Sequence, residues 1–208
     1  MKRNLLAAMV AAAVFATGAI CAHAADIVDE WASVKAPPPP ALKAVTLDPK
    51  TTALLMLDFM NQNCGKRPRC VATLPAMTKL LGEARAHKVL VVYSIIANTT
   101  TADVMKEVAP QADEPHVLSG PNKFRNTDLE KILKDKGITT VIINGTAANG
   151  AVLQTAVGAI GRGMNVIVPV DGLSSIEAYA DLATVYTFSN APALSVKATL
   201  TRSTMIKF

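Results

Sequence analysis

Histidine is scarce in this sequence, with three residues in 208. Beyond the N-terminal segment only His87 and His116 remain, far apart in the chain and without the spacing of metal ligands. Structural and catalytic zinc sites draw about three or four ligands from a defined pattern. The sequence therefore predicts no metal site, and we expect no cofactor.

Basic clusters are missing as well. Removal of Lys2 and Arg3 with an N-terminal signal would lower the formal net charge from +5 to +3. The cations that remain close together, Lys66, Arg67 and Arg69, belong to one short loop. We interpret them as a solvated rim, and we expect no nucleic-acid partner.

A nucleotide-binding loop is absent from the place where the fold would put it. The glycine-rich stretch Gly145–Gly150 is followed by Ala151 and Val152, whereas a phosphate-binding loop continues with Lys and then Ser or Thr. The glycines instead precede a helical pattern, where backbone N–H groups can face an anion or an oxyanion.

The first 24 residues have the composition of a secretory signal peptide. A basic dipeptide precedes an apolar run, Leu5–Ile20, and an A-x-A site follows at Ala22–Ala24. We predict cleavage after Ala24, a periplasmic or secreted location, and no membrane contact afterwards. A retained anchor is the alternative, although the alanine-rich run is short for a span. Cys21 follows Ile20 and not a small residue, which disfavours a lipoprotein.

Two cysteines remain after cleavage, Cys64 and Cys70, in the segment C-G-K-R-P-R-C. In an oxidising compartment two close cysteines in a Gly/Pro loop predict a disulfide. The alternative is a nucleophilic Cys64, whose thiol pKa the neighbouring cations would lower.

The mature chain divides into a strap and a domain. Residues 25–50 contain the only Trp, Trp31, and the run Pro37–Pro40, which favours an extended polyproline conformation. Residues 51–208 form the domain. Within it, strand-like apolar runs alternate with helix-period segments, which predicts a three-layer α/β/α fold with a parallel sheet. The predicted strands are 52–59, 89–96, 116–118, 138–144, 165–170 and 195–201, and the predicted helices are 74–88, 127–137, 149–162 and 176–190.

Ligands in such folds bind beyond the carboxyl ends of the strands. Asp58 follows the first buried strand, T-A-L-L-M-L, directly. A carboxylate in such a position is costly unless it is paired or functional. Asp58 is therefore the first candidate site residue, with a loop-capping role as the alternative.

From about Thr51 to about Lys197 the chain resembles the isochorismatase-like cysteine hydrolase superfamily. The resemblance rests on the order and spacing of four segments: A-L-L-M-L-D ending at Asp58, F-R-N-T-D-L at 124–129, G-T-A-A-N-G-A-V-L-Q-T-A at 145–156 and V-I-V-P-V-D-G at 166–172. It implies a six-stranded, mostly parallel, Rossmann-like sheet, a small-molecule substrate and a homo-oligomer. It also implies a cis peptide after the fourth strand, at Gly145–Thr146.

The resemblance implies a lysine that partners the strand-end carboxylate. The family places it six residues before the Phe of F-x-x-T-x-L, and Leu118 stands there in this chain. Lys123, adjacent to Phe124, is the nearby candidate. Either Lys123 turns into the site and forms a salt bridge with Asp58, or it lies on the surface.

Gly150 falls on the position of the family's nucleophilic cysteine. The resemblance therefore implies a vacated nucleophile site, with backbone from Gly145, Thr146 and Gly150 at the oxyanion position. We also predict that Phe59, Asn122 and Asn149 contact the substrate. True isochorismatases likewise carry Gly at this position, and they hydrolyse a vinyl ether with the strand-end Asp as general acid.

Three functional hypotheses follow from these residues. The first is a hydrolase of a small metabolite that uses Asp58 and Lys123 in acid–base chemistry without a cysteine nucleophile. The second is a catalytically inactive periplasmic protein that binds a small molecule in the same pocket. The third is a hydrolase that recruits Cys64.

Overall fold

The computed structural model describes residues 24–208, so the predicted signal peptide lies outside them apart from Ala24. The chain forms two compact units, the first ending at Pro38 and the second spanning Pro39–Phe208. In the first unit, residues 27–33 form a run of turns, which begins where Asp26 Oδ1 accepts from the N–H of Val28 at 2.7 Å.

The second unit alternates strands and helices as the sequence predicts. The strands are β1 (Val45–Thr46), β2 (Thr52–Leu57), β3 (Leu90–Ile95), β4 (His116–Leu118), β5 (Thr140–Thr146), β6 (Asn165–Pro169), β7 (Leu173–Ser174), β8 (Ala198–Thr201) and β9 (Ile206–Lys207). The helices are α1 (Pro68–Val71), α2 (Leu74–Ala86), α3 (Leu129–Asp135), α4 (Leu153–Ile160), α5 (Ala178–Asn190) and α6 (Leu194–Lys197).

Six strands form a parallel sheet in the order β4-β3-β2-β5-β6-β8, and the short β7 pairs with the end of β5 as a seventh strand. The central strand β2 pairs Leu55 with Val92 of β3 and with Ile143 of β5. This architecture confirms the predicted three-layer α/β fold.

Alternate residues of the sheet enter two separate cores. Leu55 and Leu57 of β2 lie in the core that contains residues of α3, α4 and α5, whereas Leu54 and Met56 lie in the core beneath α2. Side chains of a strand alternate between the two faces, so a strand buried on both faces must be apolar throughout. The continuous run T-A-L-L-M-L meets that requirement, and every residue of β2 is buried.

Several element ends differ from the predicted ones by a few residues, and two differences change the type of the element. The predicted helix from residue 149 begins instead with a π-helical turn, Ala148–Val152, before α4. The predicted last strand begins three residues later than residue 195, because α6 occupies its start. Ala193, the residue before α6, has a φ of +65°, which interrupts an extended conformation there.

The residues before β2 contribute a second, small sheet. β1 pairs in parallel with β9 near the C-terminus, with Val45 opposite Ile206. The Leu47 N–H extends this contact by donating to the carbonyl of Lys207 at 2.9 Å. Among residues 24–208 no helix has both the length and the apolar character that crossing a membrane requires.

Gly145 permits the closest backbone approach at the carboxyl edge of the sheet. Its φ is +133°, and a Cβ there would lie 2.0 Å from the carbonyl oxygen of Leu57. A side chain is therefore excluded both by conformation and by the neighbouring backbone. This contact brings the ends of β2 and β5 together, and both strands carry site residues.

We expect Gly145→Ala to lower the free energy of unfolding by about 3 kcal/mol or more, because strain and overlap add. Gly82 in α2 is the matched control, since a Cβ there meets nothing within 4 Å. Gly82→Ala should raise the free energy of unfolding by about 0.5–1 kcal/mol through helix propensity. Chemical denaturation measures both changes, and a loss below about 1 kcal/mol for Gly145→Ala would contradict the close approach.

Candidate active site

Asp58 lies immediately after β2, at the carboxyl edge of the sheet. Its φ is +56°, a conformation that Asp tolerates better than most side chains, and it is 6% exposed. The Ser94 hydroxyl of β3 donates to Asp58 Oδ1 at 2.6 Å, and the Asp58 N–H faces the Ser94 Oγ at 3.2 Å. The neighbouring strand thus fixes the orientation of the carboxylate.

Lys123 forms a buried ion pair with Asp58. Its Nζ donates to Oδ1 at 2.8 Å and to Oδ2 at 2.7 Å, and the residue is 1% exposed. Lys123 therefore reaches the strand-end carboxylate although it stands five residues later than the position that the resemblance implied. The alternative of a surface lysine is wrong.

Helix α4 holds the segment that carries Lys123. The Lys123 N–H donates to the Thr155 hydroxyl at 3.2 Å, and that hydroxyl donates to the carbonyl of Pro121 at 3.2 Å. A Cβ at Gly158 would lie 2.9 Å from Phe124 Cδ2, so glycine allows the segment to approach the helix. These contacts direct the lysine side chain toward β2.

Burial raises the pKa of Asp58 above its ordinary value, and the ammonium of Lys123, the hydroxyl of Ser94 and the charge of Arg67 oppose that shift. Desolvation disfavours a carboxylate, whereas a cation and hydrogen-bond donors favour it. Burial and the surrounding donors and cations therefore act on the pKa of Asp58 in opposite directions. Carboxyl groups in active sites are commonly held in such environments, where burial and a specific charged partner act on the same pKa.

A cavity of about 740 Å³ opens above the pair. Five of the predicted site residues line it: Asp58, Asn122, Lys123, Thr146 and Gly150. Its volume falls in the range of small-molecule sites, about 300–1,000 Å³. The structure therefore brings the strand-end carboxylate, the lysine and Gly150 to one pocket.

Three predicted site residues lie elsewhere. Phe59 is 1% exposed and packs in the core beneath α2, because the positive φ of Asp58 turns the next side chain away from the cavity. Gly145 lies within β5 and does not line the cavity. Asn149 is exposed, and its Oδ1 accepts from the Ser175 hydroxyl at 3.3 Å. The predicted substrate contact of Phe59 is therefore wrong.

The backbone around Gly150 is already hydrogen-bonded. The Gly150 N–H donates to the carbonyl of Ala147 at 3.0 Å, and the Ala148 N–H donates to the Ser175 hydroxyl at 3.1 Å. An oxyanion role for the Gly150 N–H would thus require this turn to open. The cis peptide joins Thr146 to Ala147, one residue later than predicted, because β5 extends to Thr146 instead of ending at residue 144.

Cys64 and Cys70 form the predicted disulfide, with their Cα atoms 5.2 Å apart. Both residues are fully buried. Neither Cys64 nor Cys70 therefore has a free thiol to act as a nucleophile, and residues 24–208 contain no cysteine besides these two. The Cys64 hypothesis is not supported by this structure.

A profile of the Isochorismatase domain matches residues 52–195, which is more than half of the chain and contains Asp58, Lys123 and Gly150. The chain belongs to the isochorismatase family. No curated protein sequence matches it significantly.

Several solved structures share the fold of this chain. A cysteine hydrolase from Pseudomonas syringae pv. phaseolicola 1448A superposes with a TM-score of 0.68 at 20% identity, covering 79% of this chain and 94% of the other. N-carbamoylsarcosine amidase from Thermoplasma acidophilum gives a TM-score of 0.63 at 23% identity, covering 74% and 96%. Nicotinamidase from Bacillus subtilis gives 0.66 at 16% identity, covering 73% and 99%.

The sequence analysis missed three polar residues of this isochorismatase-family site. Ser94 holds Asp58, Arg67 lines the cavity, and so does Arg125. A signal for Ser94 was present, since it is a hydroxyl near the end of a buried strand next to β2. Arg67 was assigned to a solvated rim, but it is half-buried and donates to the Thr146 hydroxyl at 3.0 Å.

No group of three or more metal-ligating side chains occurs in the described part of the chain. Lys123 occupies both oxygens of Asp58, the carboxylate that lines the cavity. The cavity chemistry available from side chains is therefore that of one carboxyl, one ammonium, and the hydroxyl, carboxamide and guanidinium groups around them.

Lys123→Met should raise the pKa of Asp58 further, because the variant keeps the burial and loses the ammonium that opposes it. When the pKa of a carboxyl is higher in the folded state than in the unfolded state, protonation of that carboxyl stabilises the folded state. The stability of the variant should therefore be highest at acid pH and fall as the pH rises through that pKa. At neutral pH we expect a loss of about 3–5 kcal/mol from the broken buried pair.

Carbon-detected NMR of the Asp58 carboxyl, assigned with Asp58→Asn, measures this titration. Lys131→Met is the matched control, since Lys131 pairs with Asp135 on the exposed surface of α3. An unchanged Asp58 titration in Lys123→Met would contradict the coupling.

Proposed function

We propose that this protein is a hydrolase of a small metabolite that works by acid–base chemistry at Asp58, without a covalent acyl-enzyme. The observation that carries the proposal is the buried Asp58–Lys123 pair lining the same cavity as Gly150. The family fold supports the reaction class, and the absence of a thiol at residue 150 argues against attack by cysteine.

The proposed step is hydrolysis of an enol ether. Protonated Asp58 transfers its proton to the terminal carbon of the double bond, and the substrate becomes an oxocarbenium ion. Water adds to that cation and loses a proton to the Asp58 carboxylate, and the resulting hemiketal separates into a ketone and an alcohol. Lys123, at 2.7 Å, stabilises the carboxylate while it is charged.

No described side chain that lines the cavity is a better nucleophile than a water molecule assisted by Asp58. Thr146 is the hydroxyl nearest in sequence to Gly150, and its Oγ1 donates to the carbonyl of Ser174 at 3.1 Å while it accepts from Arg67. A hydroxyl in that arrangement has no base to remove its proton. Direct attack of water, assisted by Asp58, fits these groups best.

We infer that the protein acts in an oxidising compartment, and the buried disulfide supports an export signal at residues 1–24. A homo-oligomer remains a prediction. The exposed apolar side chains Leu182 and Tyr186 on α5, together with Ile176 just before it, offer a surface for self-association.

We expect Asp58→Asn to lower kcat/KM by about 10²–10⁴-fold, because the variant can neither give nor accept the proton. A panel of enol ethers, activated esters and amides is assayed for product release with wild type and variant. Asp135→Asn is the matched control, since Asp135 is exposed on α3, and it should keep full activity. Wild-type turnover that persists in Asp58→Asn would contradict the role of Asp58. Binding without turnover of any class would favour the inactive binding protein.

Thiol reagents should leave wild-type activity intact, whereas Gly150→Cys should introduce an iodoacetamide-reactive thiol at the family's nucleophile position. A Cβ at residue 150 meets only Ala147 Cβ, at 3.7 Å, so the substitution fits without strain. The nearby ammonium of Lys123 should favour the thiolate and speed alkylation. Gly150→Ala controls for bulk. Inactivation of the wild type by iodoacetamide would show that a cysteine is catalytic and would overturn the proposal.

A further inference from the structure

The ionisable side chains that line the cavity do not balance in charge. They are Asp58, Arg67, Lys123 and Arg125. Asp58 and Lys123 neutralise each other at 2.7 Å, which leaves two guanidinium groups. Across residues 24–208, neither Arg67 nor Arg125 has a carboxylate within salt-bridge distance. The cavity therefore carries a net positive charge when it contains only solvent.

Arg67 differs from the other cations of its loop in where it lies. It is half-buried, whereas Lys66 and Arg69 are exposed. Arg69 is already engaged by the Asp181 carboxylate at 2.5 and 3.1 Å. Arg67 lines the main cavity and also a smaller one of about 290 Å³.

The protein holds Arg67 in place from both ends. Its Nη1 donates to the Thr146 hydroxyl at 3.0 Å, beside the turn that contains Gly150. Its N–H donates to the carbonyl of Cys64 at 2.9 Å, and its own carbonyl accepts from the N–H of Cys70 at 2.9 Å. The disulfide therefore closes a loop with Arg67 at its centre. A guanidinium has five N–H donors, so most remain for a ligand.

We propose that Arg67 binds a carboxylate group of the substrate and positions the reacting carbon over Asp58. This inference rests on the proposed function and names its substrate class, a small carboxylate-bearing metabolite. A guanidinium fork matches the planar geometry of a carboxylate in two parallel hydrogen bonds. The neighbouring lining of Ile96, Ala97 and Leu118 suits the apolar body of such a molecule better than a fully hydrated phosphate.

Binding of benzoate and of its neutral counterpart benzamide to the full chain tests the assignment without relying on turnover. Isothermal titration or ligand-observed NMR gives the dissociation constants. We expect the wild type to prefer benzoate, and Arg67→Gln to weaken benzoate binding by about 10–100-fold, the effect of a lost charged hydrogen bond. Benzamide binding should stay within about twofold, because it makes no charged contact with Arg67.

Lys66→Gln is the matched control, since it removes an exposed cation from the same loop, and it should leave benzoate binding unchanged. Arg67→Lys should bind benzoate more weakly than the wild type and more tightly than Arg67→Gln, because it keeps the charge and loses the fork. It also serves as the second variant if Arg67→Gln does not fold: a reduced benzoate preference in Arg67→Lys then supports the proposal, and an unchanged preference contradicts it.

Four results would overturn the proposal: no benzoate binding by the wild type, an unchanged benzoate-to-benzamide preference in Arg67→Gln, loss of that preference in Arg125→Gln instead, or displacement of benzoate by equimolar inorganic phosphate. Each is independent of whether Asp58→Asn abolishes turnover. The carboxylate site can thus fail while the hydrolase proposal stands, and the reverse also holds.

Discussion

The buried pair of Asp58 and Lys123 is the interaction on which the site depends. Two charges removed from water cost several kcal/mol each unless each finds a partner with good geometry. Here the lysine contacts both carboxylate oxygens, and Ser94 supplies a further donor. The close approach at Gly145 and the missing side chain at Gly158 let β5 and α4 come near enough to enclose the pair.

Residue 150 is a glycine, so no side chain enters the cavity from that position. The cavity, the carboxylate and the lysine are all present, and residue 150, which lines the same cavity, carries no thiol. Neighbours in fold include an amidase and a nicotinamidase, which shows that one scaffold carries members with different substrates. The side chains around the cavity, more than the fold, therefore decide what this chain acts on.

The loop closed by the Cys64–Cys70 disulfide contributes both to the core and to the lining of the cavity. Its cysteines are buried in the core beneath α2, while Arg67 between them faces the cavity. An arginine side chain in a solvated loop would sample many rotamers, and binding of a ligand would have to order that side chain. Closing the loop and donating to Thr146 restricts that freedom in advance. An oxidising environment would thus preserve both the loop and the charge that it presents.

The sequence by itself determined the layered fold, the place of Asp58 at a strand end and the Cys64–Cys70 bond. Each follows from a local signal: apolar runs, short cysteine spacing, or a residue's place in a motif. The tertiary structure alone decided that the Lys123 ammonium binds Asp58 and that the Phe59 side chain packs in the core. It also decided that Arg67 lines the cavity instead of lying on a solvated rim. These outcomes depend on strand register, on the positive φ of Asp58 and on how loops pass over the sheet edge, and no spacing along the chain encodes them.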